Sequence, residues 1–125
     1  MANRKDLIII GGGAAGLAAA QYAARANLDV ILIEEMASGG QAMIIDRLEN
    51  YPGFPEPVSG YIFSQKMEEQ ARKFGAVIVN DSVTGIAKTG NIFEVATYGD
   101  KFNAQAVILS TGARHRQLGI PGEKE

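Results

Sequence analysis

Cysteine is missing from all 125 residues. Its absence excludes disulfides, thiolate metal sites and any cysteine redox pair within this sequence, and it fits a reducing compartment. Histidine occurs once, as His115. It sits between two arginines with no carboxylate or second histidine beside it, a setting that suits a structural or solvated imidazole better than a catalytic one. A large excess of either charge is also missing. Twelve basic residues against 14 acidic ones leave a net charge of −2, which offers no footing for nucleic acid or for a polybasic membrane contact. No stretch approaches the ~20 consecutive apolar residues that span a bilayer. Arg4 and Lys5 ahead of an apolar run resemble the start of a secretion signal, but Asp6 and the interruption by Gly11, Gly12 and Gly13 argue against one. The expectation is a soluble, cytoplasmic, single globular domain, consistent with 46% hydrophobic and 21% charged residues.

Internal repeats and low-complexity segments are lacking too, so the order of elements carries the information. DLIII at residues 6–10 is a short continuous apolar run, as expected of a strand buried on both faces. A glycine-rich turn at 11–16 follows, then the helix former LAAAQYAARA with Asn27 as a left-handed stop, then a second buried strand, DVILIE, at 29–34. This is the length of a parallel crossover unit. Ser59 can cap a helix over 60–74, in which Phe63, Met67, Ala71 and Phe74 share a face, and Gly75 ends it. Tyr22, Phe63, Met67 and Phe74 are expected to be core positions. A third buried strand is expected at 76–80. Glycine-bearing turns at 89–91 and 99–100 then mark a three-stranded meander over 82–104, and AVILS at 106–110 returns as a separate buried strand.

Gly11, Gly13 and Gly16 form G-x-G-x-x-G. The first glycine permits the tight turn, the second lets a pyrophosphate approach the backbone, and the third lets helix and strand pack closely. The helix N-terminus then offers its free amides to the anion. Alone, the pattern is equally a glycine turn beside an alanine-rich core helix. Its position between an expected strand and an expected helix strengthens the binding reading. Glu34 ends the second strand, where a carboxylate can accept from an adenosine ribose and repel a 2′-phosphate. Its neighbour Glu35 shares that strand end. These residues point to a dinucleotide without saying which.

The irregular stretch GGQAMIIDRLENYPGF at 39–54 supplies the distinction. Together with DLIIIGGGAAGLAAA, LIEEMASGGQ, LENYPGFPEPVSG and VILSTGARHRQLGIPGE, it resembles the FAD domain of low-molecular-weight thioredoxin reductases over nearly the whole chain. The resemblance implies an α/β, Rossmann-like, three-layer fold: a parallel sheet with helices on one face and a three-stranded antiparallel meander on the other, the family's final strand lying beyond these residues. It implies that Gly12, Gly13, Ala14 and Ala15 hold the adenine side of FAD together with Glu34. Gly40, Gln41 and Asn50 would lie in the blocks that wrap the ribityl and flavin portion. The backbone of Val83 would meet the adenine, and Thr111 and Gly112 would belong to the motif that closes over the cofactor. Gln41 and Asn50 are donor–acceptor amides suited to a flavin edge.

Residues 1–114 are therefore expected to be part of a FAD-binding domain, and 115–125 the start of a linker toward an NADPH-binding domain. The parent reaction implied by the resemblance runs from NADPH to FAD, then to a cysteine pair, then to the disulfide of thioredoxin or a similar substrate. The 125 residues hold no cysteine, so by themselves they are expected to bind FAD only weakly, the site lacking the family's further strand, and not to perform that reaction. The alternative is a stand-alone nucleotide-binding module, for FAD or NAD, without redox catalysis. If the family's further strand belongs beside AVILS, that edge is expected to be open and to favour self-association.

Overall fold

The structure, a computed structural model, describes residues 4–123. Lys124 and Glu125, the last two residues of the expected linker, lie outside the described residues. In chain order the elements are β1 (Arg4–Ile10), α1 (Ala14–Arg25), β2 (Val30–Glu34), a 3₁₀ helix (Gly40–Ile44), α2 (Gly60–Lys73), β3 (Val77–Asn80), β4 (Val83–Thr89), β5 (Ile92–Thr97) and β6 (Lys101–Leu109). The six strands form one sheet in the order β3-β2-β1-β6-β5-β4. Pairing is parallel from β3 to β6 and antiparallel from β6 to β4.

The alternation of β1 divides the core into two layers. Leu7 and Ile9, with Val30 and Leu32 of β2, pack against Leu17, Ala20, Ala23 and Ala24 of α1 and Ala71 of α2. Ile8 and Ile10, with Ile31 and Ile33, face the opposite way and meet Val95, Phe102 and Ala104 of the meander. Strands covered on both faces read as unbroken apolar runs, which is why LIII at 7–10 and VILI at 30–33 contain no polar residue on either face. Full burial of a side chain such as Ile8 or Leu32 contributes roughly 1.5–3 kcal/mol. The three layers are those expected.

Local stop and start signals are also as expected. Asn27 has φ 61°, and Gly75 has φ 105° after α2. Ser59 Oγ accepts from the Ile62 amide at 3.2 Å, capping α2.

Several details differ from expectation. The third strand, β3, is the sheet's edge strand rather than a buried one, with Val77 47% exposed, and AVILS is not buried either, with Ile108 and Leu109 38% and 67% exposed. Helix α1 begins at Ala14, inside the stretch assigned to the turn, because Gly13 already serves as its N-cap and its carbonyl accepts from Leu17 N at 2.9 Å. The third meander strand and AVILS are a single strand, β6. Its first part pairs with β5 on one side, and Asn103 to Leu109 pair with β1 on the other, so no break is needed at Gln105. Tyr22 and Phe74 are not core residues: they are 68% and 41% exposed. They stack instead about Arg25, whose guanidinium carbon is 6.0 Å from the Tyr22 ring centre and 5.3 Å from that of Phe74.

Candidate functional site

Parallel strands end together at one edge of the sheet, with Ile10 beside Ile33 and Leu109, and Glu34 beside Asn80. The chain leaves β1 toward β2 on one side while β6 returns on the other, so the crevice beyond β1 is the topological switch point where α/β sheets bind ligands. The glycine turn after β1 and the Ser110–Ala113 segment after β6 meet there.

Close packing explains two of the glycines. A Cβ on Gly16 would stand 1.9 Å from the Gly11 carbonyl oxygen, and one on Gly11, at φ 100°, would stand 2.3 Å from the Ser110 carbonyl. Only hydrogen fits at either place. Ser110 locks the same turn: its hydroxyl lies 2.9 Å from the Gly11 carbonyl and 3.1 Å from that of Ile10, and its amide donates to Ile10 at 2.9 Å. The N-cap of α1 is Gly13, which brings no capping side chain, and the first turn contains no carboxylate. The helix thus presents a positive end whose leading amides are met by no capping group of its own, as an anion site requires. Ala14 and Ala15 form that first turn.

Glu34 is held tightly beside it. Its Oε2 accepts from Gly12 N at 2.5 Å and its Oε1 from Met36 N at 3.0 Å. Beyond lies a cavity of about 350 Å³ lined by Gly11, Glu34, Glu35, Asp81, Val83 and the Thr111–Arg114 segment, among others. Glu35 accepts from Ser82 Oγ at 3.2 Å and pairs with Arg114 at 3.6 Å. That ion pair is largely exposed and contributes little to stability.

The 39–54 stretch behaves as two units. Gly39 and Gly40 pack against the glycine turn: the Gly39 amide donates to the Gly12 carbonyl at 2.8 Å, and Gly13 and Gly39 form a parallel bridge. From the 3₁₀ helix, Gln41 Nε2 donates to the Ala113 carbonyl at 3.2 Å, tying this stretch to the segment after β6. The second unit is anchored by aromatics. Tyr51 and Phe54 bracket Phe63 of α2 with ring centres 4.6 and 5.7 Å away, while Leu48 and Val58 pair across the base of the loop. Gly60 lies so close to the 3₁₀ helix that a Cβ on it would stand 1.7 Å from the Ala42 carbonyl.

Of the residues singled out in the sequence, Gly11, Glu34, Glu35, Val83, Thr111 and Gly112 line the one cavity. Gly12, Gly13, Ala14, Ala15 and Gly16 form the adjoining turn and helix start, and Gly40 and Gln41 abut it. Asn50 stands apart from the cavity lining, exposed in the turn before Tyr51. Sequence reasoning missed Asp81 and Arg114, and it held Ser110 only as part of the STGA block at 110–113, without its role in locking the glycine turn. Arg114 was visible only as part of a basic cluster, and Asp81 as one polar residue between strands.

The pKa of Asp81 is displaced downward. The Thr97 hydroxyl is the largest influence and holds its carboxyl below the ordinary value of 3.8; desolvation comes next and opposes it, and the amides of Gly99, Ser82 and Tyr98 lower it further.

A switch-point crevice, an uncapped helix N-terminus behind G-x-G-x-x-G and a fixed carboxylate on the next strand define a Rossmann-type dinucleotide-binding domain. The chain belongs to the pyridine nucleotide-disulphide oxidoreductase family, which matches residues 5–125. Thioredoxin reductase of Treponema pallidum is 53% identical over 120 residues, covering 96% of this chain and 39% of that protein. The enzyme of Peptoclostridium acidaminophilum is 44% identical over 125 residues, covering 100% of this chain and 40% of that protein. Among solved structures, Lactococcus lactis thioredoxin reductase superimposes with a TM-score of 0.90 at 40% identity, over 96% of this chain and 39% of its own. This chain thus spans about two fifths of the relatives it matches. The cofactor of thioredoxin reductases in this family is FAD.

Proposed function

We propose that these residues hold the adenosine and pyrophosphate of FAD within a thioredoxin reductase-like flavoprotein. The observation that carries this reading is the uncapped start of α1 beside the anchored Glu34 carboxylate. An anion is favoured at the helix end, ribose hydroxyls can donate to Glu34, and a 2′-phosphate is repelled. Gly11, Gly12, Gly13, Ala14, Ala15 and Gly16 would cradle the pyrophosphate. Glu34 and Glu35 would face the ribose, Val83 the adenine, and Thr111 and Gly112 would close over it. Gly40, Gln41 and Asn50 lie on the stretch that would run toward the flavin. Bound FAD supplies an acceptor for a hydride and a relay for two electrons. The work of this chain is to position it and to exclude water from its adenosine end.

In the parent reaction electrons pass from NADPH to FAD, then to a cysteine pair and on to thioredoxin or a similar disulfide substrate. The present residues contain no cysteine, so the disulfide chemistry would be carried by other parts of a longer chain. A cytoplasmic setting agrees with that partner. Among the described residues no helix is long and apolar enough to cross a membrane.

The test is the absorbance spectrum of the purified chain after addition of FAD and desalting. A retained flavin band supports the reading. Loss of flavin, together with undetectable binding of ADP by calorimetry, overturns it. Retention of NAD in preference to FAD would favour the simpler nucleotide-binding module.

Among the described residues no strand lies beside the outer edge of β6 beyond Ala104, and this edge carries Ile108 and Leu109, which are 38% and 67% exposed. Open apolar edges pair. The isolated chain would therefore self-associate through this edge, and a monomer in sedimentation at high concentration would count against that.

A further inference from the structure

We infer that Asp81 is a positioning residue for adenine recognition, acting through the backbone of Ser82 and Val83; this rests on the FAD reading above. Asp81 lies where β3 has ended and β4 has not begun, at the wall of the cavity. Its amide donates to the Glu34 carbonyl at 3.1 Å, extending β2–β3 pairing by one bond. Its carboxylate accepts from Ser82 N at 2.7 Å and from Gly99 N at 3.0 Å. Ser82 in turn takes a hydrogen bond on its carbonyl from Tyr98 N at 3.3 Å and donates from its hydroxyl to Glu35 at 3.2 Å.

One residue thus joins three segments: its amide reaches the end of β2, and its carboxylate ties the 81–83 crossing to the turn between β5 and β6. Many aspartates in turns accept only from neighbouring amides. Here the second oxygen reaches across 18 residues. The turn it grips is itself closed, since Thr97 Oγ1 lies 3.0 Å from the Asp100 carbonyl and 2.9 Å from the Asp100 amide. The far side of the contact is fitted as well: a Cβ on Gly99 would stand 3.0 Å from Asp81 Oδ2.

The consequence concerns specificity. A base edge read by main-chain groups is discriminated only as well as those groups are fixed, because a mobile segment can rotate to suit the wrong base. Val83 has no side-chain polar group, so the geometry of its backbone must carry the choice. Asp81 fixes that geometry without touching the base.

The test compares ADP with GDP, titrated calorimetrically into the full chain and into Asp81→Asn. The asparagine keeps the shape but puts an NH₂ where one of the two amides needs an acceptor. The expected result is a loss of about tenfold in ADP affinity with little change for GDP, so that the selectivity ratio collapses. A folded Asp81→Asn with an unchanged ratio overturns the inference alone. A wild-type chain that binds no ADP overturns the FAD reading and the inference together. If Asp81→Asn does not fold, Gly99→Ala decides, because it crowds the same carboxylate from the turn side: a reduced ratio supports the inference and an unchanged one overturns it.

Discussion

The amide of Gly12 donates to Glu34 Oε2 at 2.5 Å, joining the turn after β1 to the end of β2 across 22 residues. This contact makes the carboxylate part of the glycine turn itself. Both of its oxygens are oriented by main-chain donors, since Met36 N engages Oε1. A carboxylate so held presents its remaining lone pairs in a fixed direction toward the cavity.

Glu34→Gln would leave one of these two amides facing an NH₂ and would remove the negative charge from the ribose side. ADP affinity should fall about tenfold, while 2′-phosphorylated ADP should lose less or gain. Parallel calorimetric titrations of the two nucleotides check this. Equal losses for both would mean that the carboxylate does not select against the 2′-phosphate.

Gly16→Ala would place a methyl group 1.9 Å from the Gly11 carbonyl. Helix α1 must then move off β1, at a cost of about 1–3 kcal/mol or more in urea unfolding. Gly85 is the control, because nothing lies within 4 Å of a Cβ there. Gly85→Ala should be neutral or stabilise by up to about 1 kcal/mol.

Phe63 is 2% exposed and supports both Tyr51 and Phe54. Phe63→Ala should cost about 3–5 kcal/mol and release the loop that the two aromatics anchor. Limited proteolysis should then cut between residues 48 and 58 at denaturant concentrations where the wild-type loop resists. Uniform cleavage elsewhere would show global rather than local loosening.

The lowered pKa of Asp81 sets a pH dependence. Its folded carboxyl lies below the ordinary 3.8, so the unfolded chain binds the proton first as pH falls. The stabilisation is complete above that value and is lost as pH drops through the folded pKa. Unfolding midpoints of wild type and Asp81→Asn should differ most above about pH 5 and converge below the ordinary carboxylate range. A constant gap down to pH 3 would show that the charge of Asp81 is not what the site uses.

Local features were legible wherever a short stretch contained its own cause. Ser59, Gly75 and Asn27 mark helix ends by the chemistry of one residue, and the structure has them in those roles. The strand, glycine turn, helix and strand of residues 6–34 were readable because apolar runs and alanine content act within a few residues. The start of α1 was misjudged because the amides of a glycine-rich segment can be helical as soon as a carbonyl lies four residues back, as at Gly13 and Leu17. Tyr22 and Phe74 were misread because an aromatic on a helix seems to require the core. Arg25 between them, visible only once the two helices pack, gives both a partner at the surface.

By itself the sequence determined the crossover unit, the glycine turn and the carboxylate that follows, because each depends on spacing along a few turns of chain. Tertiary structure alone decided that β6 runs unbroken from the meander into the parallel sheet, since the pairing that carries it on, with β1, involves residues far away in the chain. It also decided that Gln41 would reach Ala113, Ser110 would lock Gly11, and Asp81 would grip Gly99. Such contacts arise from closing long loops around a common crevice, and no local pattern records which polar groups will meet there.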